Sequence, residues 1–157
     1  GFFQPMKIYI INGPNLNLLG IREPSIYGHT GYEELCRGLR EYCDTRGADV
    51  ILYQSNHEGD LVDKIQEAYF EGAAGIVLNP GAYTHTSIAL LDALRTVNLP
   101  TVEVHISDVT ARESFRRISY VKEACVASIV GHGVKGYYEA VDLLLRGKET
   151  GIYACDL

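Results

Sequence analysis

The chain has no tryptophan, one methionine, five prolines and four cysteines in 157 residues. The cysteines, Cys36, Cys43, Cys125 and Cys155, make no CxxC pair and show no metal-ligand spacing, so the common zinc and thioredoxin-like patterns are absent. A chain of this size can bury about 70% of its unfolded surface, so it needs no disulfide staples; the thiols read as reduced and the protein as cytoplasmic. Positive charge is also scarce: 14 Lys and Arg against 20 Asp and Glu leave a formal charge of −6. That balance argues against a nucleic-acid or an anionic-membrane partner. No stretch approaches the roughly 20 apolar residues of a membrane span, and no secretory signal pattern is present. There is no GxGxxG after the first apolar run, no Walker-type phosphate loop, no GxSxG and no HExxH. Nucleotide sites, serine hydrolases and zinc proteases lose support accordingly.

Five short, β-branched, largely unalternated runs are present: 7–11, 49–54, 75–79, 101–105 and 124–130. Such runs suit strands covered on both faces. Amphipathic stretches separate them. One is marked by Leu35, Leu39 and Cys43, a second by Leu61, Ile65 and Ala68, and a third by Leu91, Leu94 and Val97. The last, with Val134, Tyr137, Tyr138, Val141, Leu144 and Leu145, is the cleanest helical face. Regular alternation of strand and helix implies right-handed crossovers and an α/β fold of flavodoxin-like type, a five-stranded parallel sheet of order 2-1-3-4-5 with helices on both faces.

In such sheets ligands bind outside the carboxyl ends of the strands, at the switch point between strands 1 and 3. Three polar clusters fall there: Asn12 to Asn17, Asn79 to Thr86, and Glu103 to Asp108. The connection after strand 1, about 13–30, far exceeds the roughly 2–6 residues usual in α/β units. Its leucines and isoleucines are too apolar for a solvated linker, so it reads as a lid carrying Asn15, Arg22 and Tyr27. A phenol with pKa near 10 is only about one part in a thousand ionised at pH 7, so a tyrosine base needs a neighbouring cation, and Arg22 is on the same loop. Taken alone, the pair is equally a packing tyrosine and a solvated arginine in a chain with 11 tyrosines.

Glu103 and His105 stand two apart on a strand and share a face, so they can form one network in which the carboxylate orients the imidazole. A structural histidine is the plainer alternative, but both groups are costly to bury without partners. Asn79 opens a turn, Thr84 or Thr86 suits a helix cap, and His85 has no such structural explanation. Backbone amides at Ile106 and Ser107, followed by Arg112 and Arg116, suit a small anionic, hydroxylated ligand. A zinc site from His85, His105, Asp92 and Glu103 is conceivable, but no metal-ligand spacing supports it.

The segments INGPNLNLLGIREPSIYG, YQSNHEGDLVDKIQEA, VLNPGAYTHTSIALLDAL, VEVHISDVTARESFRRISY and IVGHGVKGYYEAV make the chain resemble type II 3-dehydroquinate dehydratase, from Met6 to about Arg146. The resemblance implies dehydration of 3-dehydroquinate to 3-dehydroshikimate by anti elimination through an enolate, with no cofactor and no metal. Under it, Tyr27 would take the C2 proton, with Arg22 stabilising its phenolate. Asn15 would stabilise the enolate oxygen, and His105, supported by Glu103, would protonate the departing C1 hydroxyl. Asn79, His85, Ile106, Ser107 and Arg116 would bind the ring's carboxylate and hydroxyls, with Arg112 assisting. Asp92 would reach a neighbouring subunit's substrate, because this family assembles as a dodecamer of four trimers. Residues 1–5 then read as an expression remnant, 6–147 as one catalytic domain and 148–157 as a C-terminal tail. The competing reading is a non-catalytic flavodoxin-like module that holds a small anion.

Overall fold

The computed structural model describes residues 4–21 and 31–150. Its strands are β1 (Met6–Asn12), β2 (Ala48–Gln54), β3 (Gly75–Asn79), β4 (Thr101–His105) and β5 (Ala127–Val130). The helices are α1 (Tyr32–Thr45), α2 (Glu58–Phe70), α3 (Ile88–Val97) and α4 (Lys135–Thr150). All strand pairs are parallel and the order is β2-β1-β3-β4-β5, the topology expected from the sequence.

The sheet divides two apolar cores, because successive residues of a covered strand face opposite sides. On one side Ile8, Ile10, Val77, Val102 and Val104 pack with Leu35 and Leu39 of α1 and Tyr137, Val141 and Leu144 of α4. On the other, Tyr9, Ile11, Ile76 and Leu78 pack with Leu61 and Ile65 of α2 and Leu90 and Leu94 of α3. Helices and sheet hold each other by removing apolar side chains from water, about 1.5–3 kcal/mol for each one fully buried.

Register brings the strand ends to one edge: Asn12 lies beside Gln54 on one side and Asn79 on the other, and His105 lies beside Val130. The loops after β1 and β3 are pressed together there. A Cβ on Gly13 would stand 2.3 Å from the Pro80 carbonyl oxygen, and Gly81, at φ 60°, packs against Pro14. Only glycine fits the first position, and the second favours it. The Gly13 amide donates to the Asn79 carbonyl at 2.8 Å, locking the two loops.

Two local expectations change. Strand 5 begins at Ala127, not 124, because Val121–Ala124 forms a 3₁₀ turn closed by the Cys125 amide on the Lys122 carbonyl and anchored by fully buried Val121. The cap of α3 is Ser87, whose hydroxyl accepts the Leu90 amide at 3.0 Å, whereas Thr84 donates to the Gly81 carbonyl inside a 3₁₀ segment, Gly81–His85. The long first loop begins with a 3₁₀ turn, Leu16–Leu18, and Leu16 and Leu19 are buried in the core.

Candidate active site

At the carboxyl edge of the sheet is a cavity of about 300 Å³, opening between the loops that follow β1, β3 and β4. From the first loop come Asn15 and the apolar Leu16 and Leu19; from the second, Asn79 and His85; from the third, Ile106, Ser107, Arg112 and Arg116; His105 itself ends β4. The cavity thus joins amide, imidazole and guanidinium groups to an apolar wall, as small-ligand sites commonly do.

Asn15 holds a left-handed backbone conformation at φ 70°, which asparagine tolerates, and its amide donates to Asn56 Oδ1 at 3.0 Å. Gln54 Nε2 donates to the Gly13 carbonyl at 3.0 Å and to Asn56 Oδ1 at 3.1 Å, so the loop that carries Asn15 is braced from β2. Asn79 is fixed twice: its Oδ1 accepts the Gly81 amide at 3.1 Å and its Nδ2 donates to the Tyr137 hydroxyl at 2.9 Å. Tyr137 in turn donates to Asn12 Oδ1 at 2.6 Å, a relay buried between α4 and the sheet. Burial pushes the Tyr137 phenol up, against a smaller lowering by Asn79, so it stays a neutral donor. His85 Nδ1 lies 2.7 Å from the Ile118 carbonyl oxygen. A carbonyl only accepts, so the proton is on Nδ1.

Among the described residues the most buried charge is beside the cavity. Glu103 is 1% exposed and His105 6%, and their side chains meet at 2.6 Å between Oε2 and Nε2. Ser119 donates to Oε2 at 2.5 Å and Ser128 to Oε1 at 2.7 Å. Burial alone would raise the Glu103 carboxyl, but hydrogen bonds from His105, Ser119 and Ser128 outweigh it and hold the group below its ordinary value. The carboxylate is therefore ionised, and the facing Nε2 of His105 donates to it. Burial, then the nearby carboxylate, pushes the Cys125 thiol up to about 12.

Glu103 does not line the cavity; it stands behind His105. Asp92 is exposed on α3 and does not reach the cavity either. Arg22 and Tyr27 lie outside the described residues. Arg116 lines the cavity while its Nε donates to Glu113 Oε2 at 2.6 Å. Of the four zinc candidates Glu103 and His105 meet and His85 lines the same cavity, but among the described residues no three His, Cys, Asp or Glu side chains converge to hold a metal ion. Ser119, Ser128 and Tyr137 are the polar partners that sequence reasoning missed. For Tyr137 a signal existed, since a tyrosine on a buried helix face needs a partner for its hydroxyl.

The family model for class II dehydroquinase matches residues 6–145. The chain belongs to the class II dehydroquinases. It is 51% identical over 135 residues to a 3-dehydroquinate dehydratase from Caldicellulosiruptor bescii, covering 86% of this chain and 93% of that protein. Among solved structures, the type II dehydroquinase from Butyrivibrio crossotus is similar with a TM-score of 0.88 and 56% identity over 90% of this chain and 98% of that one. The type II dehydroquinase from Propionibacterium acnes gives a TM-score of 0.84 at 40% identity with the same coverage. In this class II dehydroquinase chain no helix among the described residues is long and apolar enough to cross a membrane.

Proposed function

We propose that this chain is a 3-dehydroquinate dehydratase, removing water from 3-dehydroquinate to give 3-dehydroshikimate by anti elimination through an enolate. The observation that carries the reading is the buried Glu103–His105 pair at the wall of a cavity that also holds Asn15, Asn79, Arg112 and Arg116. Family membership and relatives about half identical throughout their length support the same chemistry.

The elimination needs a base, an acceptor for enolate charge and an acid. Tyr27, with Arg22 favouring its phenolate, takes the C2 proton, and the released electron pair moves onto the ketone oxygen. Asn15 stabilises that oxygen through a donor placed before charge develops. The electron pair then returns, the C1–oxygen bond breaks, and His105 supplies the proton with which the hydroxyl leaves as water. Asn79, His85, the Ile106 and Ser107 backbone and Arg116 hold the ring's hydroxyls and carboxylate, with Arg112 beside them. No step calls for a cofactor.

The chain works in the cytoplasm, a reading supported by Cys36 and Cys43, which are buried and unpaired. It assembles as a dodecamer of four trimers in which Asp92 reaches a neighbour's substrate. Ile88 stands one turn before Asp92 on α3 and is 54% exposed, and Phe115 and Ile118 are 63% and 53% exposed, which suits a covered face.

The direct test is appearance of the conjugated enone by ultraviolet absorbance after adding 3-dehydroquinate, with Tyr27→Phe and His105→Gln beside wild type. Each variant is expected to lose roughly 10²-fold or more in turnover, within the range for a positioned acid or base. Folded wild-type protein that binds the substrate and forms no product would leave only the anion-binding module.

A further inference from the structure

Glu103 is the most deeply buried carboxylate among the described residues, and three donors surround it: His105 Nε2 at 2.6 Å, Ser119 Oγ at 2.5 Å and Ser128 Oγ at 2.7 Å. The serines come from separate places. Ser128 is the β5 residue in register with Glu103, so the sheet itself sets that contact. Ser119 arrives from the segment after the Ser114–Arg117 turn, outside the sheet.

That segment is tied to the cavity at three successive points. Arg116 lines the cavity, the Ile118 carbonyl accepts from His85, and Ser119 reaches behind His105 to the carboxylate. The Tyr120 amide then donates to the Thr84 carbonyl at 3.1 Å, closing the segment onto the loop after β3.

We propose that Ser119 and Ser128 are positioning residues of the dehydration reaction: their two hydroxyls keep the Glu103 carboxylate ionised and oriented, which fixes the His105 ring by Nε2 and leaves Nδ1 to serve the substrate. A buried carboxylate lacking these donors takes up a proton more readily. A protonated Glu103 no longer demands a proton on Nε2, and the ring loses both its orientation and the anion that stabilises its charged form. The groups facing this carboxylate are His105 on its own strand, Ser128 on β5, Ser119, and the Cys125 thiol, which burial keeps neutral. Ser119 also links the acid to the ligand-binding side, because the segment that carries it carries Arg116.

The inference rests on the dehydratase reading, and the test separates the two. Steady-state kinetics of Ser119→Ala, Ser128→Ala and the double variant are compared with wild type across pH. The double variant is expected to lose roughly 10- to 100-fold in kcat, part of what a positioned acid contributes, with KM within about twofold. The acidic limb of its kcat profile moves to higher pH, and Ser119→Thr and Ser128→Thr, which keep the hydroxyl, restore both values. Nitrogen NMR of the unliganded protein gives a readout independent of turnover: in wild type the His105 Nε2 proton is held in the hydrogen bond to the carboxylate, and in the double variant its resonance loses the downfield position of that charge-assisted bond. A folded double variant with wild-type kcat, acidic limb and His105 spectrum overturns the proposal. Should that variant not fold, Ser119→Ala alone decides in the same way, since Ser119 lies outside the sheet. Wild-type protein that forms no enone overturns the dehydratase reading instead, and the spectrum still decides whether the serines hold the pair.

Discussion

Strands β1 and β4 flank β3 and both are buried where they run beside it, yet they differ in what they bury. Ile8 and Ile10 of β1 face one core and Tyr9 and Ile11 the other, so β1 is apolar almost throughout on both faces. On β4, Val102 and Val104 continue the first core, whereas Thr101, Glu103 and His105 replace the second with polar groups that are all buried. Each has a partner: the Thr101 hydroxyl donates to the Leu99 carbonyl at 3.0 Å, and Glu103 gathers His105 and two serines. Burial that stabilises β1 by excluding water makes β4 able to hold an ionised pair rigid, provided every polar atom is satisfied. The sheet anchors with one strand and supplies chemistry with another.

Truncation breaks the comparison most strongly. Ile10→Ala removes a fully buried side chain between β1 and its helices and is expected to lose about 2–5 kcal/mol in denaturant unfolding, with kcat per folded molecule unchanged. Glu103→Gln, similar in shape, is expected to do the reverse: a small change in unfolding and a turnover lower by roughly tenfold or more, as His105 loses its anionic partner. Equal losses of stability and turnover in both variants would show that the strands are not specialised.

Between these extremes lies Tyr137, which belongs to the apolar core by position and to the site by its hydroxyl. Tyr137→Phe leaves the Asn12 and Asn79 side chains without their bridge and is expected to lose about 1–3 kcal/mol, the cost of a buried polar group left unpaired. Because Asn79 lines the cavity, KM should rise more than kcat falls, measured by steady-state kinetics. An unchanged KM would return Tyr137 to the core alone.

The same contrast explains what was legible in the sequence. Strand order and both cores were readable because β-branched runs and helical periodicity repeat along the chain, as in 7–11 and from Val134 to Leu145. The cavity was readable from topology, which brings Asn15, Asn79 and His105 to one edge. Ser119 and Ser128 were not, because a serine's meaning lies in the residue opposite it, and Ser119 meets Glu103 only through the fold of an irregular segment. The same irregularity displaced the start of strand 5: Ala124 and Cys125 are as strand-like in composition as Ala127, and only the turn closed by Cys125 separates them. Ser87 took the capping role expected of Thr84 or Thr86 because Thr84 is used inside the preceding turn.

Acid titration makes the smallest and sharpest distinction between the two strands, since β1 carries no buried carboxyl. The folded Glu103 carboxyl is held below the ordinary carboxylate value by its three donors, against the opposing effect of burial. In the unfolded chain the same group titrates at about 4.3. The folded state therefore binds its proton less readily, and the stability this confers is present in full above the unfolded value and is lost as pH falls through the folded one. Wild-type protein is expected to lose stability more steeply than Glu103→Gln in that acidic window, measured as unfolding free energy against pH. The Ile10→Ala curve should instead run parallel to wild type, displaced downward at every pH, because no proton is linked to the group it removes. If the Glu103→Gln curve also runs parallel to wild type, the carboxylate is not held ionised by the fold, and the difference between β1 and β4 reduces to one of packing.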